Sequence, residues 1–283
     1  MAGCVVFSER VISVGMPTPL AGVFTAPDNP LPNSPTLVLL NSGMMHHVGT
    51  CNLSVKLARS AALTRFSSFR FDFSGIGDSR TRSFPGTHEQ REISEVREVM
   101  DELSRQEEIS GFLLCGLCSG ADAALATAAA DERVVGIVQL DPLCKRTIDW
   151  YFHHYYQKVA DIRAWRRLLA RVRGKRTRED GLPSQYLEEV DEQERHDLDQ
   201  SALADAYRKL VARDVHTLVI MTEGQRSCYN ARGQFRRSFG NVEFGSTLDE
   251  HHLPRTRHII TEPDDQRFVV DLVTDWVTTQ HRS

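Results

Sequence analysis

Cys118 stands at the centre of Gly116-Leu117-Cys118-Ser119-Gly120, between an apolar run, Phe112 to Cys115, and an alanine-rich stretch, Ala121 to Ala130. The pattern predicts a strand, a sharp turn and a helix, the setting of a nucleophile elbow of the form G-x-Nuc-x-G. Such a turn strains the residue at its apex, and flanking glycines let strand and helix approach without Cβ atoms between them. Cysteine holds the apex here. Ser119 does not fit that position, because its own flanks would be Leu117 and Ala121. A thiol attacks a carbonyl carbon as its thiolate. Near an ordinary pKa of about 8.5 only a few per cent is ionised at neutral pH, so the site needs a neighbouring base and a helix N-terminus. Cys115 and Cys118 also form a C-x-x-C, but a redox pair belongs at one helix N-terminus, whereas these straddle a strand end and a turn.

The elements that must carry this turn follow from hydrophobic period. Residues 4–9 and 20–25 read as a short antiparallel pair at a sheet edge. Thr36 to Asn41 is a continuous apolar run, hence a buried strand; a helix from about Asn52 to Leu63 follows, and Ser68 to Phe73 is the next strand. A charged helix spans roughly Glu89 to Glu107. The elbow strand and its helix come next, then Val134 to Asp141 and Pro142. Strands alternating with helices at this spacing predict a parallel sheet with right-handed crossovers. After Pro142 the strand pattern lapses for about seventy residues of amphipathic, charged sequence, and it resumes at His216 to Glu223. A helix near 231–239, a strand near 241–244, a loop bearing histidines and a final helix from about Asp264 to Val277 complete the expectation. The domain reading is a core of residues 1–144 and 214–283, with a helical lid inserted at 145–213.

Composition sets the class. The 283 residues carry 34 Lys and Arg against 38 Asp and Glu, a net charge of −4 that argues against a general nucleic-acid binder. No apolar run reaches the ~20 residues needed to span a bilayer, and Met1 to Arg10 show no basic region followed by an apolar stretch. With cysteines scattered in apolar strands, a soluble protein of a reducing, cytoplasmic compartment is expected.

Three segments, Asn41-Ser-Gly-Met-Met-His-His-Val-Gly49, Arg70-Phe-Asp-Phe-Ser-Gly-Ile-Gly-Asp-Ser79 and Gly116-Leu-Cys-Ser-Gly-Ala-Asp122, give the chain its resemblance. Over almost its whole length it resembles the α/β-hydrolase superfamily, with these motifs in order on the expected elements. They look closer still to a bacterial branch that includes the exosortase-associated hydrolases, which carry a G-L-C elbow. The implied fold is an α/β-hydrolase fold, a mostly parallel sheet flanked by helices with an inserted helical lid. The implied chemistry is acyl transfer to Cys118, giving a thioesterase or esterase, or an acyltransferase using the same site; a degenerate relative serving as a binding protein is the other reading.

The resemblance also implies roles. Backbone N–H groups of Ser119 and Met44 would form the oxyanion hole. His258, six residues before the last helix, would be the base, although Arg257 replaces the family's preceding aspartate; His251 and His252 are its neighbours in the same loop. The orienting acid is read as Glu223, after the seventh strand, with Asp141 at the end of the sixth as the alternative; a turn-forming role before Pro142 is the favoured reading of Asp141. Asp78 is read as ordering its loop through side-chain-to-backbone hydrogen bonds. Met45 and Trp150, the latter opening an aromatic run to Tyr156, would line an acyl pocket. The basic run from Arg163 to Arg178 is by default a solvated helix face, and alternatively a landing patch for an acyl carrier protein or coenzyme A. His46-His47, His153-His154 and His251-His252 invite a metal reading. Adjacent residues rarely chelate one ion, however, and no carboxylate or cysteine stands at ligand spacing in the sequence, so neither a metal nor a cofactor is expected.

Overall fold

In the computed structural model, residues 7–107, 109–151, 200–225 and 228–281 are described. Among them, eight strands form one sheet in the order β1-β2-β4-β3-β5-β6-β7-β8. These are Phe7–Val14, Leu20–Pro27, Thr36–Leu39, Ser68–Phe71, Phe112–Leu117, Val134–Leu140, His216–Thr222 and Leu248–Leu253, numbered β1 to β8 in chain order. β1 pairs antiparallel with β2, and β2 with β4; every later pair is parallel. The helices are α1 (Leu53–Leu63), α2 (His88–Glu107), α3 (Ser119–Ala130), α4 (Gln200–Ala212), α5 (Gln234–Ser238) and α6 (Pro263–His281).

The apolar period assigns each helix to a face. Val96, Val99, Met100 and Leu103 recur at helical spacing on α2 and join α3 and α4 in one core with Val38, Phe69, Phe71 and Leu114. α1 and α6 close the opposite face over Leu37, Leu39, Leu113, Cys115 and Leu218. Successive strand residues therefore serve opposite cores, which is why the central strands read as unbroken apolar runs. Arg70 on interior β4 is buried and pairs with Glu9 of β1, while the two edges carry most of the strand charge: β1 is Phe-Ser-Glu-Arg-Val-Ile-Ser-Val and β8 is Leu-Asp-Glu-His-His-Leu.

That edge explains a difference from expectation. The last strand lies at 248–253, where a histidine-bearing loop was expected, and 241–244 is not a strand. Val242 and Phe244 are apolar because they plug the core from a turn, with Val242 N–H donating to Phe239 O and Thr247 N–H to Phe244 O. α4 also differs. It falls within the stretch read as a lid, yet Ala204, Tyr207 and Leu210 are buried in the core and Tyr207 Oη donates to Gln139 Oε1 on β6 at 2.9 Å. A parallel β6-to-β7 connection requires a crossover packed on the sheet, and α4 supplies it. Residues 152–199, including His153, His154, Tyr156 and the basic run, lie outside the described residues.

The chain order places β3 between β4 and β5, so connections leave β3 and β5 in opposite directions. Their carboxyl ends open a crevice between diverging loops, the usual location of a site in an open α/β sheet.

Candidate active site

Cys118 occupies the turn between β5 and α3 with φ 57° and ψ −120°, a region that L-residues rarely adopt. Paired backbone groups hold it there. Cys118 N–H donates to Leu140 O at 2.9 Å, and its carbonyl accepts from Ala121 N–H at 2.9 Å and Asp122 N–H at 3.2 Å. A Cβ on Gly116 would lie 2.2 Å from the Gly120 carbonyl carbon, and one on Gly120 would lie 2.4 Å from Asn41 O. The two glycines are thus needed for the approach of α3 to β5 and β3. The thiol of Cys118 hydrogen-bonds His258.

His258 lies in the turn between β8 and α6, and its Nδ1 stands 2.7 Å from Asp141 Oδ2. A carboxylate can only accept, so the proton is on Nδ1 and Nε2 is left for the thiol. Asp141 follows β6 directly, is fully buried, and accepts two further bonds from Thr222, from N–H at 2.6 Å and from Oγ1 at 2.5 Å. Gly224 clears the space above: a Cβ there would meet His258 Cβ at 2.4 Å. Burial opposes a charge on His258, but hydrogen bonds to Asp141 and Cys118 and their negative charge outweigh it, raising the imidazole from 6.5 to about 10. The arrangement favours an imidazolium beside Cys118 at neutral pH.

Glu223, read from the sequence as the orienting acid, does not hold this place. It begins a short 3-10 turn, with its N–H donated to Thr256 O at 2.9 Å, while Asp141 takes the imidazole. The reason is geometric: β6 lies between β5 and β7, so Asp141, the residue that follows it, reaches both Thr222 and His258. His251 and His252 lie on β8. Burial lowers the pKa of His251, and His252 packs edge-on against Tyr229 at 4.9 Å. Cys115 is fully buried in β5 and its thiol is pushed up to about 12, so the C-x-x-C pairs an inert thiol with Cys118.

The loop after β3 completes the crevice. Asn41 Nδ2 donates to Met45 O at 2.6 Å and to Asp72 Oδ1 at 2.9 Å, and Asn41 Oδ1 accepts Phe73 N–H at 2.8 Å. Asp72, wholly buried, also accepts His47 N–H at 2.6 Å, His47 Nδ1 at 2.8 Å and Asp78 N–H at 3.0 Å. Burial alone would raise Asp72, but these donors hold its carboxyl below the usual range. The backbone-ordering role expected of Asp78 thus falls to Asp72; the Asp78 carboxylate instead accepts from His46 Nε2 at 3.1 Å.

His46, His47, Asp72 and Asp78 bring one ligand-type atom each to within 4.8 Å of one another, a cluster that linear spacing did not reveal. Its atoms are already engaged. Val48 N–H donates to His46 Nδ1 at 3.3 Å, which leaves the ring proton on Nε2, directed at Asp78. The four side chains therefore act as a latch between the loops after β3 and β4.

Met44, at the tip of this loop, is 82% exposed. Met45 N–H donates to Ser42 O at 3.1 Å, and Met45 lines a small cavity beneath the loop with His47, Leu53 and Cys115. Ser119 Oγ accepts Gly43 N–H at 2.7 Å, tying the loop tip to the elbow. Trp150 is buried, with the Arg146 guanidinium over its ring and its carbonyl accepting from Asn230 Nδ2.

No family model and no curated protein matches this chain. Solved structures match over nearly their full length. The α/β hydrolase GrgF from Penicillium sp. sh18 is 15% identical, with a TM-score of 0.60 over 98% of this chain and 100% of that one. Est1E from Butyrivibrio proteoclasticus, solved with ferulic acid, is 12% identical, with a TM-score of 0.60 over 96% and 100%. An α/β serine hydrolase homologue from Coxiella burnetii is 13% identical, with a TM-score of 0.57 over 95% and 96%. At such identities the likeness is one of fold, and the chain has the α/β-hydrolase fold. No described helix is long and apolar enough to cross a membrane.

Proposed function

From an α/β-hydrolase fold with Cys118 at the elbow, we propose that the chain is a cysteine-nucleophile acyl hydrolase acting on a small-molecule ester or thioester. The observation that carries this reading is the run of contacts from Cys118 to His258 to Asp141 at the end of a strained turn. Cys118 attacks the acyl carbonyl as thiolate, and the negative charge moves to the carbonyl oxygen. Backbone N–H groups of Ser119 and Met44 stabilise that oxygen. Collapse expels a thiolate or alkoxide, which takes the proton from His258 and leaves an acyl-cysteine. Water then attacks, giving its proton to His258, and the thiol leaves with the free acid as product. Asp141 holds the imidazole in the required tautomer throughout.

A thioester suits this site because exchange onto Cys118 is nearly isoenergetic in bond type. That equality equally serves transfer to a bound alcohol or amine, and product analysis separates the two. Met45 and Trp150 are proposed to border the acyl pocket. If the basic run from Arg163 to Arg178 docks coenzyme A or an acyl carrier protein, reversing Arg166, Arg167 and Arg171 to Glu raises KM for that substrate and spares a small neutral thioester. The principal test is intact-mass analysis after brief exposure to an activated thioester. A single acyl adduct on the wild-type chain, absent from Cys118→Ala, supports the reading, whereas turnover retained by Cys118→Ala overturns it.

A further inference from the structure

The loop after β3 is anchored at its two ends and thrust into solvent at its tip. Asn41 fixes the start, and Met45 O and His47 are bound to Asn41 and Asp72 at the other end. Between them Gly43 and Met44 are exposed, and Gly43 has φ +52° with open space where a Cβ would stand. Neither packing nor side-chain bulk holds this tip. What joins it to the elbow is the hydrogen bond from Gly43 N–H to Ser119 Oγ, 2.7 Å long and spanning 76 residues of sequence.

We infer that the Ser119 hydroxyl is a positioning group for the oxyanion site, locking the β3 loop tip to the elbow so that the Met44 and Ser119 N–H groups face one point. This rests on the acyl chemistry proposed above. Ser119 is the first residue of α3, so its N–H is among those a helix start leaves without an intrahelical partner. Its hydroxyl grips the peptide immediately before the Met44 N–H. One side chain thereby sets the spacing of two donors from loops that have no covalent reason to stay in register. Preorganised donors lower a barrier because they need not reorient as charge develops; a tip free to rotate loses that advantage without altering the thiolate.

The test separates oxyanion geometry from nucleophile reactivity. Ser119→Ala should lower kcat for an activated thioester by about 10- to 100-fold, less than the full loss of a donor, with KM little changed. Alkylation of Cys118 by iodoacetamide should proceed at the wild-type rate, since displacement at saturated carbon develops no oxyanion. Ser119→Thr keeps a hydroxyl and should recover most of the lost kcat. Hydrogen–deuterium exchange of the peptide covering residues 42–47 should quicken in Ser119→Ala and not in Ser119→Thr. Unchanged kcat in Ser119→Ala, or a parallel fall in turnover and alkylation, overturns the inference. So does unchanged exchange of the loop, whatever the substrate. Failure of the acyl reading itself would show differently, as turnover that survives Cys118→Ala.

Discussion

Replacing Asp141 by Asn tests which acid serves His258, and its effect can be sized from the site. The rise of the imidazole from 6.5 to about 10 corresponds to about 5 kcal/mol in favour of its charged form, at about 1.4 kcal/mol per tenfold. A third of the His258 side chain is exposed and Cys118 shares in the rise, so about 2–3 kcal/mol is assigned to Asp141. Asp141→Asn should therefore cut kcat/KM by about 30- to 150-fold. The sign of the pH effect is fixed as well. Wild-type imidazolium persists until pH approaches about 10; without the carboxylate it loses its proton at lower pH, so the alkaline limb of the kcat/KM profile moves down. The assay is steady-state hydrolysis of an activated thioester from pH 5 to 10 for wild type, Asp141→Asn and Glu223→Gln. A large loss in Glu223→Gln together with a change of less than threefold and an unmoved limb in Asp141→Asn would refute the assignment.

Four further outcomes are expected. Cys118→Gly should abolish turnover yet raise stability by about 1–3 kcal/mol in chemical denaturation, because glycine tolerates the positive φ; equal or lower stability would mean that the turn carries no strain. Gly120→Ala should cost about 3 kcal/mol or more, since its Cβ meets Asn41 O at 2.4 Å, and a thermal midpoint within a degree of wild type would contradict that packing. Asp72→Asn should destabilise by about 1–3 kcal/mol for each donor left unpaired, read by urea unfolding, and should quicken exchange in the loop after β3. Because the folded pKa of His258 is raised, its stabilisation is complete below about 6.5 and lost as pH rises through about 10. Wild type should accordingly lose more stability than His258→Gln between pH 7 and 10, and parallel losses would exclude the charged pair.

Much of the scaffold was legible because buried parallel strands leave a direct mark, four to seven apolar residues closed by glycine, aspartate or proline. The strand, turn and helix around Cys118 were legible too, Gly116 and Gly120 being demanded by the close approach of α3 to β5 and to Asn41. The eighth strand was hidden because an edge strand keeps its charges, and the apolar residues that attracted attention at 242 and 244 fill the core from a turn. Asp141 was underrated because an aspartate before proline is a common turn former; its meaning depends on Thr222 and His258, which sheet order alone brings beside it. The carboxylates that join His46 and His47 were missed similarly, since they arrive from the loop after β4. Sequence distance is a poor guide wherever a site is assembled at strand ends.

The spans of these bonds also bear on how the molecule gains activity as it folds. The latch joins residues 25 to 32 apart, the bond from Gly43 to Ser119 joins residues 76 apart, and the pair of His258 and Asp141 closes across 117. Loop-closure entropy grows with span, and β8 must dock before the turn carrying His258 can reach Asp141. A refolding chain should then form its latch early and acquire a reactive thiol last. Until that last step it would resemble the native protein in far-ultraviolet circular dichroism while its Cys118 alkylates no faster than an ordinary thiol.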